Sequence, residues 1–304
     1  MTKEPKEIQL MRFDWAMKTV LRNKANFDVL EGFLTALLKE DVFVEEILES
    51  ESNQQEKDNK FNRVDLLVKD KMGRRFIIEI QNQRQADFLE RLLFGTSKVI
   101  VENLGLGEKY SDILKVVSVS ILYFNLGVGE DYVYHGKTEF LGVHNHLPLI
   151  IKRKEQDILT QSIVYKDKNI FPEYYLINVE RFEDLIEGAL DEWIYFLKHN
   201  AIKPEFHAKN IDKARQKLTL LNMTEKERKR YEKYIDAMLV EQDVMETALK
   251  EGIAKGKAEG ISEGIAKGEL QKALEIAQRL KQQGLSIDLI SVTTGLSFEQ
   301  IESL

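Results

Sequence analysis

Two rhythms of apolar and polar positions run along the chain. From Phe13 to Leu38 the apolar residues recur at helical spacing, with Val29, Leu30, Phe33, Leu34, Leu37 and Leu38 on one stripe. The polar stretch Arg22 to Asn26 divides this run into two helical segments. Val42 to Leu48 then takes strand character, and Ser50 to Lys60 is polar without period, the pattern of a loop. Arg63–Lys69 and Arg75–Gln81 follow as two short strands, and Asp70-Lys71-Met72-Gly73-Arg74 joins them with turn formers at hairpin length, so the pair is expected to be antiparallel. A helix is predicted from about Ala86 to Asn103 on Phe88, Leu92, Leu93 and Val99. Leu114 to Leu126 is β-branched and apolar, as in a strand buried on both faces. Helix, three strands, helix, strand is an α/β order.

Residues 129–182 read as further strands, among them Asp131–Tyr134 and Tyr174–Ile177, and Phe182 to Leu197 returns to helical spacing. From Lys198 to Lys233 eleven Lys and Arg stand against five Asp and Glu, which fits either a face that contacts a phosphate backbone or a solvated helical hairpin. Beyond it Gly252, Gly256, Gly260, Gly264 and Gly268 recur every fourth residue. Each interior glycine costs a helix about 0.5 to 1 kcal/mol relative to alanine, so the row is expected either to pack closely against another backbone or to fray into a linker. The helical pattern then resumes to Leu280 and breaks at Gly284. Two short helices should follow, the first capped by Ser286 and ended by Gly295, the second opened by a capping box of Ser297 and Gln300. Their spacing matches a helix-turn-helix, but Glu299 and Glu302 without a Lys or Arg would repel phosphate, so a packed helical cap is expected.

Composition narrows the chemistry. The 304 residues are 43% hydrophobic and 31% charged, the balance of a folded protein rather than a disordered one. With no cysteine, thiolate nucleophiles, disulfides and thiolate-bound metals are excluded, and any metal must sit on oxygen or imidazole. A charged N-terminus and the lack of a long apolar run point to a cytoplasmic protein with no membrane segment. The net charge of -7 argues against indiscriminate coating of nucleic acid, though not against a local groove. No nucleophile elbow and no phosphate-binding glycine loop is present. His144-Asn145-His146 would set two imidazoles on one face of a strand, without a third ligand nearby.

The hairpin holds the most informative pattern. With a turn centred on Met72, residues whose numbers sum to 144 lie opposite each other, which pairs Asp65 with Glu79, Leu67 with Ile77 and Arg63 with Gln81. Two carboxylates facing each other across a strand pair repel unless a charge offsets them. A divalent cation such as Mg²⁺ or Mn²⁺ would do so, as would an ion pair of one acid with Arg63 or Arg91. Glu31, read as part of the first helix, could be an auxiliary ligand.

The string KFNRVDLLVKDKMGRRFIIEIQNQ resembles the core motif of the PD-(D/E)XK nuclease superfamily, with Gln81 where the motif lysine would stand. The wider chain is similar to the recombination-promoting nuclease and putative transposase branch, in which the E-x-Q form is usual. Asp14 and Lys18, Arg63-Val64-Asp65, Glu79-Ile80-Gln81, Phe88 and Arg91, and Gly107 with Tyr110 carry the resemblance, together with the glycine-repeat tail. It implies a restriction-endonuclease-like α/β core and Mg²⁺-dependent hydrolysis of DNA phosphodiesters in recombination or mobile-element biology. Asp65, Glu79 and the Ile80 carbonyl would hold Mg²⁺, with Mn²⁺ a possible substitute. Gln81 would orient water, and Arg91 would supply the positive charge that glutamine lacks. Lys60 and Arg63 are nearer cations in sequence.

The expected organisation is a nuclease core over residues 1–126, a β/α extension over 127–198, a basic helical region over 199–245, and a glycine-repeat helix with short helices over 246–304, through which copies would associate. The competing reading, motivated by Gln81 and the acidic balance, is a weakly active or inactive nuclease fold that serves as a DNA-binding or oligomeric scaffold.

Overall fold

Phe13 and Phe33, on the two N-terminal helices, meet edge to face with ring centroids 5.7 Å apart, and the fold is built outward from that contact. The computed structural model describes residues 10–48, 65–102, 104, 109–150, 152–156, 163–167 and 169–304. Helix α1 (Phe13–Thr19) and helix α2 (Phe27–Leu38) are separated by a short 3-10 turn at Lys24–Asn26, where the Asn23 side chain accepts the Ala25 N–H. The polar break was therefore a true helix boundary.

The sheet has six strands: β1 (Val44–Leu48), β2 (Leu66–Asp70), β3 (Arg75–Gln81), β4 (Val116–Leu122), β5 (Val133–Gly136) and β8 (Glu173–Asn178), in the order β1-β2-β3-β4-β8-β5. Strands β6 (Lys152–Gln156) and β7 (Ile163–Asp167) form a separate antiparallel ribbon. Pairing is antiparallel from β1 to β3, parallel across β3, β4 and β8, and antiparallel again at β5. Helix α3 (Phe88–Glu102) is the crossover between β3 and β4. One sheet face packs on it, through Ile77, Val99 and Val116 and through Phe88, Leu92 and Leu122. The alternate residues Phe76, Ile78, Val119, Ile121 and Ile177 are equally buried on the other face. Helix α4 (Ala189–His199) joins α1 and α2 there through Trp193 and Phe196. This mixed sheet with flanking helices is an α/β fold consistent with the restriction-endonuclease-like class.

Several expectations shift. Phe182 to Gly188 is not the start of α4: the 3-10 turn Val179–Arg181 ends there, Asp184 has φ 63°, and the helix begins at Ala189 with Gly188 at its cap. Leu185 and Ile186 are exposed, so their helical spacing did not reflect a buried stripe. His144 and His146 lie on a hairpin turn rather than a strand, with His146 at φ 55° and the Gly142 N–H donating to the Leu147 carbonyl. Among the described residues no group of three or more His, Asp and Glu could hold a metal. Much of the basic segment is neutralised. Helix α5 (Ile211–Lys217) packs on α2, Lys213 and Lys217 pair with Asp28, and Lys209 pairs with Asp41.

The chain divides into two units, Met1–Glu225 and Lys226–Leu304. Helix α6 (Glu225–Gln282) carries the glycine row without a break, and an added Cβ at any of the five glycines would meet nothing within 4 Å. Gly284 takes φ +80° and stops the helical run. Helices α7 (Ile287–Thr294) and α8 (Phe298–Glu302) then fold back so that Ile290, Leu296 and Ile301 pack on Ala277. Ser297 and Gln300 form both bonds of the capping box, and the expected packed cap is what the structure shows. Among the described residues no helix is long and apolar enough to cross a membrane.

Candidate active site

The turn between β2 and β3 fixes everything that follows. Asp70 is buried, and its carboxylate accepts the N–H groups of Met72 and Arg74 at 3.0 and 2.8 Å while pairing with the Arg74 side chain at 2.8 Å. Gly73 takes φ +81°, which only glycine adopts without strain. The observed pairs are Leu66 with Ile78, Leu67 with Ile77, Val68 with Phe76 and Lys69 with Arg75. Each sums to 144, as the turn centred on Met72 required. One further step brings Asp65 beside Glu79, at the open end of the hairpin.

The structure brings these two acids together. Asp65 Oδ2 accepts the Ile80 N–H at 2.8 Å, its Oδ1 lies 3.6 Å from Lys18 Nζ, and its main-chain carbonyl accepts from Arg22 at 3.2 Å. Glu79 sits between β2 and β4 with 7% exposure. Burial, and then the negative charge of Asp65, push its carboxyl up to about 7, while Arg91 on α3 pulls in the opposite direction. In an extended strand the N–H and C=O of one residue leave on the same side, so the Ile80 carbonyl, like its N–H, leaves β3 on the β2 side. Gln81 is the last residue of β3, half-buried, and by alternation on the same face as Glu79.

The remaining candidates separate. Arg91 is within electrostatic reach of Glu79. Glu31 is elsewhere: its carboxylate accepts the Val44 N–H at 2.9 Å, and Val44 pairs with Asp70 at the turn end of β2. Asp14 is buried at the start of α1, accepting its neighbour Trp15 N–H and pairing with Arg12, whose guanidinium also reaches Asn82 just past β3. Phe88 belongs to the core and Tyr110 is exposed. Lys60, Arg63, Val64 and Gly107 lie outside the described residues.

Two neighbours of the acid pair were not legible in the sequence. The sequence places Lys18 on the first helix, but nothing in its spacing ties it to Asp65, 47 positions on. Ser120 lies directly opposite Glu79 on β4, and only the parallel register reveals it. The buried Glu79 on β3 and the partly exposed Asp65 just before β2, with Lys18 and Arg91 nearby, set carboxylate oxygens, the donors that hard cations take, at the open end of the hairpin. The family model for a PD-(D/E)XK nuclease family transposase matches residues 11–248. The chain belongs to that family. No curated protein and no solved structure matches it. As a PD-(D/E)XK nuclease-family protein it carries a nuclease-like fold in which the hairpin acids, α3 and β4 all fall within the matched span.

Proposed function

We propose that this PD-(D/E)XK family protein is a Mg²⁺-dependent DNA endonuclease, with Mn²⁺ an effective substitute, acting in the cytoplasm in recombination or mobile-element processing. The observation that carries this reading is Glu79, a buried carboxyl held against a second carboxylate. Such a pair is costly alone, and a divalent cation removes both the repulsion and part of the desolvation cost. Asp65, Glu79 and the Ile80 carbonyl would hold the ion. When bound, the ion would neutralise charge on the scissile phosphate and acidify water.

The protein's own residues supply the rest. The Ile80 N–H fixes one oxygen of Asp65 and leaves the other toward the rim. Gln81 donates and accepts through its amide, which suits it to orient water but not to neutralise charge. Lys18 beside Asp65 and Arg91 beside Glu79 place positive charge at the rim of the same pair, which offsets the lack of a lysine at position 81. The purified protein is expected to nick supercoiled plasmid in Mg²⁺ and to stop on chelation, and Asp65→Ala to be inactive. No nicking in either Mg²⁺ or Mn²⁺ would favour the alternative, a nuclease fold retained as a DNA-binding scaffold.

The exposed tail supports a second element of the proposal, association of two copies along α6. Leu249, Ile253, Ile261 and Ile265 are each more than half exposed beside the open glycine row. A 58-residue helix with five interior glycines is expected to need a partner to remain ordered in water. A dimer would present two sites to the two strands of DNA.

A further inference from the structure

Strand β4 reads Val116-Val117-Ser118-Val119-Ser120-Ile121-Leu122, and every residue in it is buried. Ser118 and Ser120 are 1% and 0% exposed, and among the described residues neither hydroxyl has a hydrogen-bond partner. An orphaned buried hydroxyl costs about 1 to 3 kcal/mol. Close approach of α3 does not explain the cost, since alanine would leave the same room without a polar atom to desolvate. Both serines face α3, because Val116 and Leu122 on the same alternation pack on Val99 and on Phe88 and Leu92. The parallel register separates their surroundings: Ser118 lies opposite Ile77, whereas Ser120 lies opposite Glu79.

We infer that Ser120 is a positioning residue of the carboxylate site: its Oγ–H, without a partner in the metal-free protein, would donate to Glu79 once the two acids hold a cation. The inference rests on the metal reading of Asp65 and Glu79. A serine on the strand beside the ligand restricts the carboxylate's rotation and gives its second oxygen a partner that solvent cannot supply at this depth. Ser118 has no acid beside it and serves as an internal control with the same residue type, strand, face and burial.

The test is calorimetric titration of Mn²⁺ alone into the full-length protein at pH 8, for wild type, Ser120→Ala, Ser118→Ala and Glu79→Gln. Ser120→Ala should weaken Mn²⁺ binding by about 10-fold or more, the usual effect of removing a group that orients a metal ligand. Ser118→Ala should stay within about twofold, a margin well below that effect. Without metal both alanine variants should melt at or above the wild-type temperature, since each removes an unsatisfied hydroxyl. Unchanged binding in Ser120→Ala, or equal weakening in both serine variants, overturns the assignment while leaving the metal site standing. A wild type that takes up no Mn²⁺, or binds it as well with Glu79→Gln, overturns the metal reading and this assignment with it.

Discussion

Glu79 is where sequence, burial and charge meet. Its carboxyl stands near 7 rather than the ordinary 4.5, because burial and the adjacent Asp65 both disfavour ionisation. A carboxyl raised by folding contributes stability that is complete below the unfolded value and is lost as pH rises through the folded one. The relevant window therefore runs from about 4.5 to about 7. At about 1.4 kcal/mol per pH unit, the loss is of the order of 3 kcal/mol in metal-free protein. Glu79→Gln removes the titration, so the variant should match wild type in thermal stability near pH 5 and exceed it at pH 8. Adding Mn²⁺ at pH 8 should stabilise wild type and not the variant. A stability gap that does not change between the two pH values would contradict the placement of Glu79. The acid pair itself was readable from the chain, since a turn centred on Met72 fixes which residues face each other. Its surroundings were not, because Lys18 and Ser120 reach it from elements 47 and 41 positions away.

At the scale of elements, legibility followed the strength of the periodic signal. Strand β3 occupies the expected Arg75–Gln81, and β4 is buried along its whole length as its β-branched composition implied. The tail's glycine stops and the Ser297–Gln300 box were equally plain, because they act through local backbone chemistry, whereas Ser286 stands at the cap position of α7 without a side-chain capping bond. What failed was non-local. Phe182 to Ile186 mimicked a helical stripe, and the basic residues of 209–217, which local pattern left open between a phosphate-contacting face and a solvated hairpin, pair with the distant Asp28 and Asp41. Glycine shows the same contrast. A Cβ at Gly32 on α2 would stand 2.4 Å from the Lys209 carbonyl oxygen and 2.7 Å from the Trp193 ring, whereas one at Gly260 on α6 would meet nothing. Gly32→Ala should therefore destabilise the first unit by about 1 to 3 kcal/mol as α2 is pushed from its neighbours. Gly260→Ala should add about 0.5 to 1 kcal/mol of helix stability in a tail that is not assembled. Denaturant unfolding of each unit's signal distinguishes the two, and a neutral Gly32→Ala would mean that the α2 contact is not held in solution.

The whole molecule combines a mixed α/β unit that holds the acid pair with a helical unit exposing a small-residue row. The order of strands, with β8 beside β4 after an excursion of some fifty residues, could not be read from local pattern. If the tail joins two copies, the full chain should sediment at twice its chain mass and a chain ending at Gln242 at its own chain mass, with its first unit still folded. An unchanged ratio of particle mass to chain mass would remove α6 as the interface. Cleavage is the more direct question. Cutting of one labelled DNA duplex at saturating Mg²⁺, measured for wild type, Asp65→Asn and Glu79→Gln, tests the paired carboxylates without altering their size. The expected result is Mg²⁺-dependent cleavage by wild type and a loss of more than about a hundredfold in each variant, beyond the cost of an outer-sphere change. Cleavage at wild-type rates by either variant would contradict the assignment of the hairpin acids as the catalytic centre.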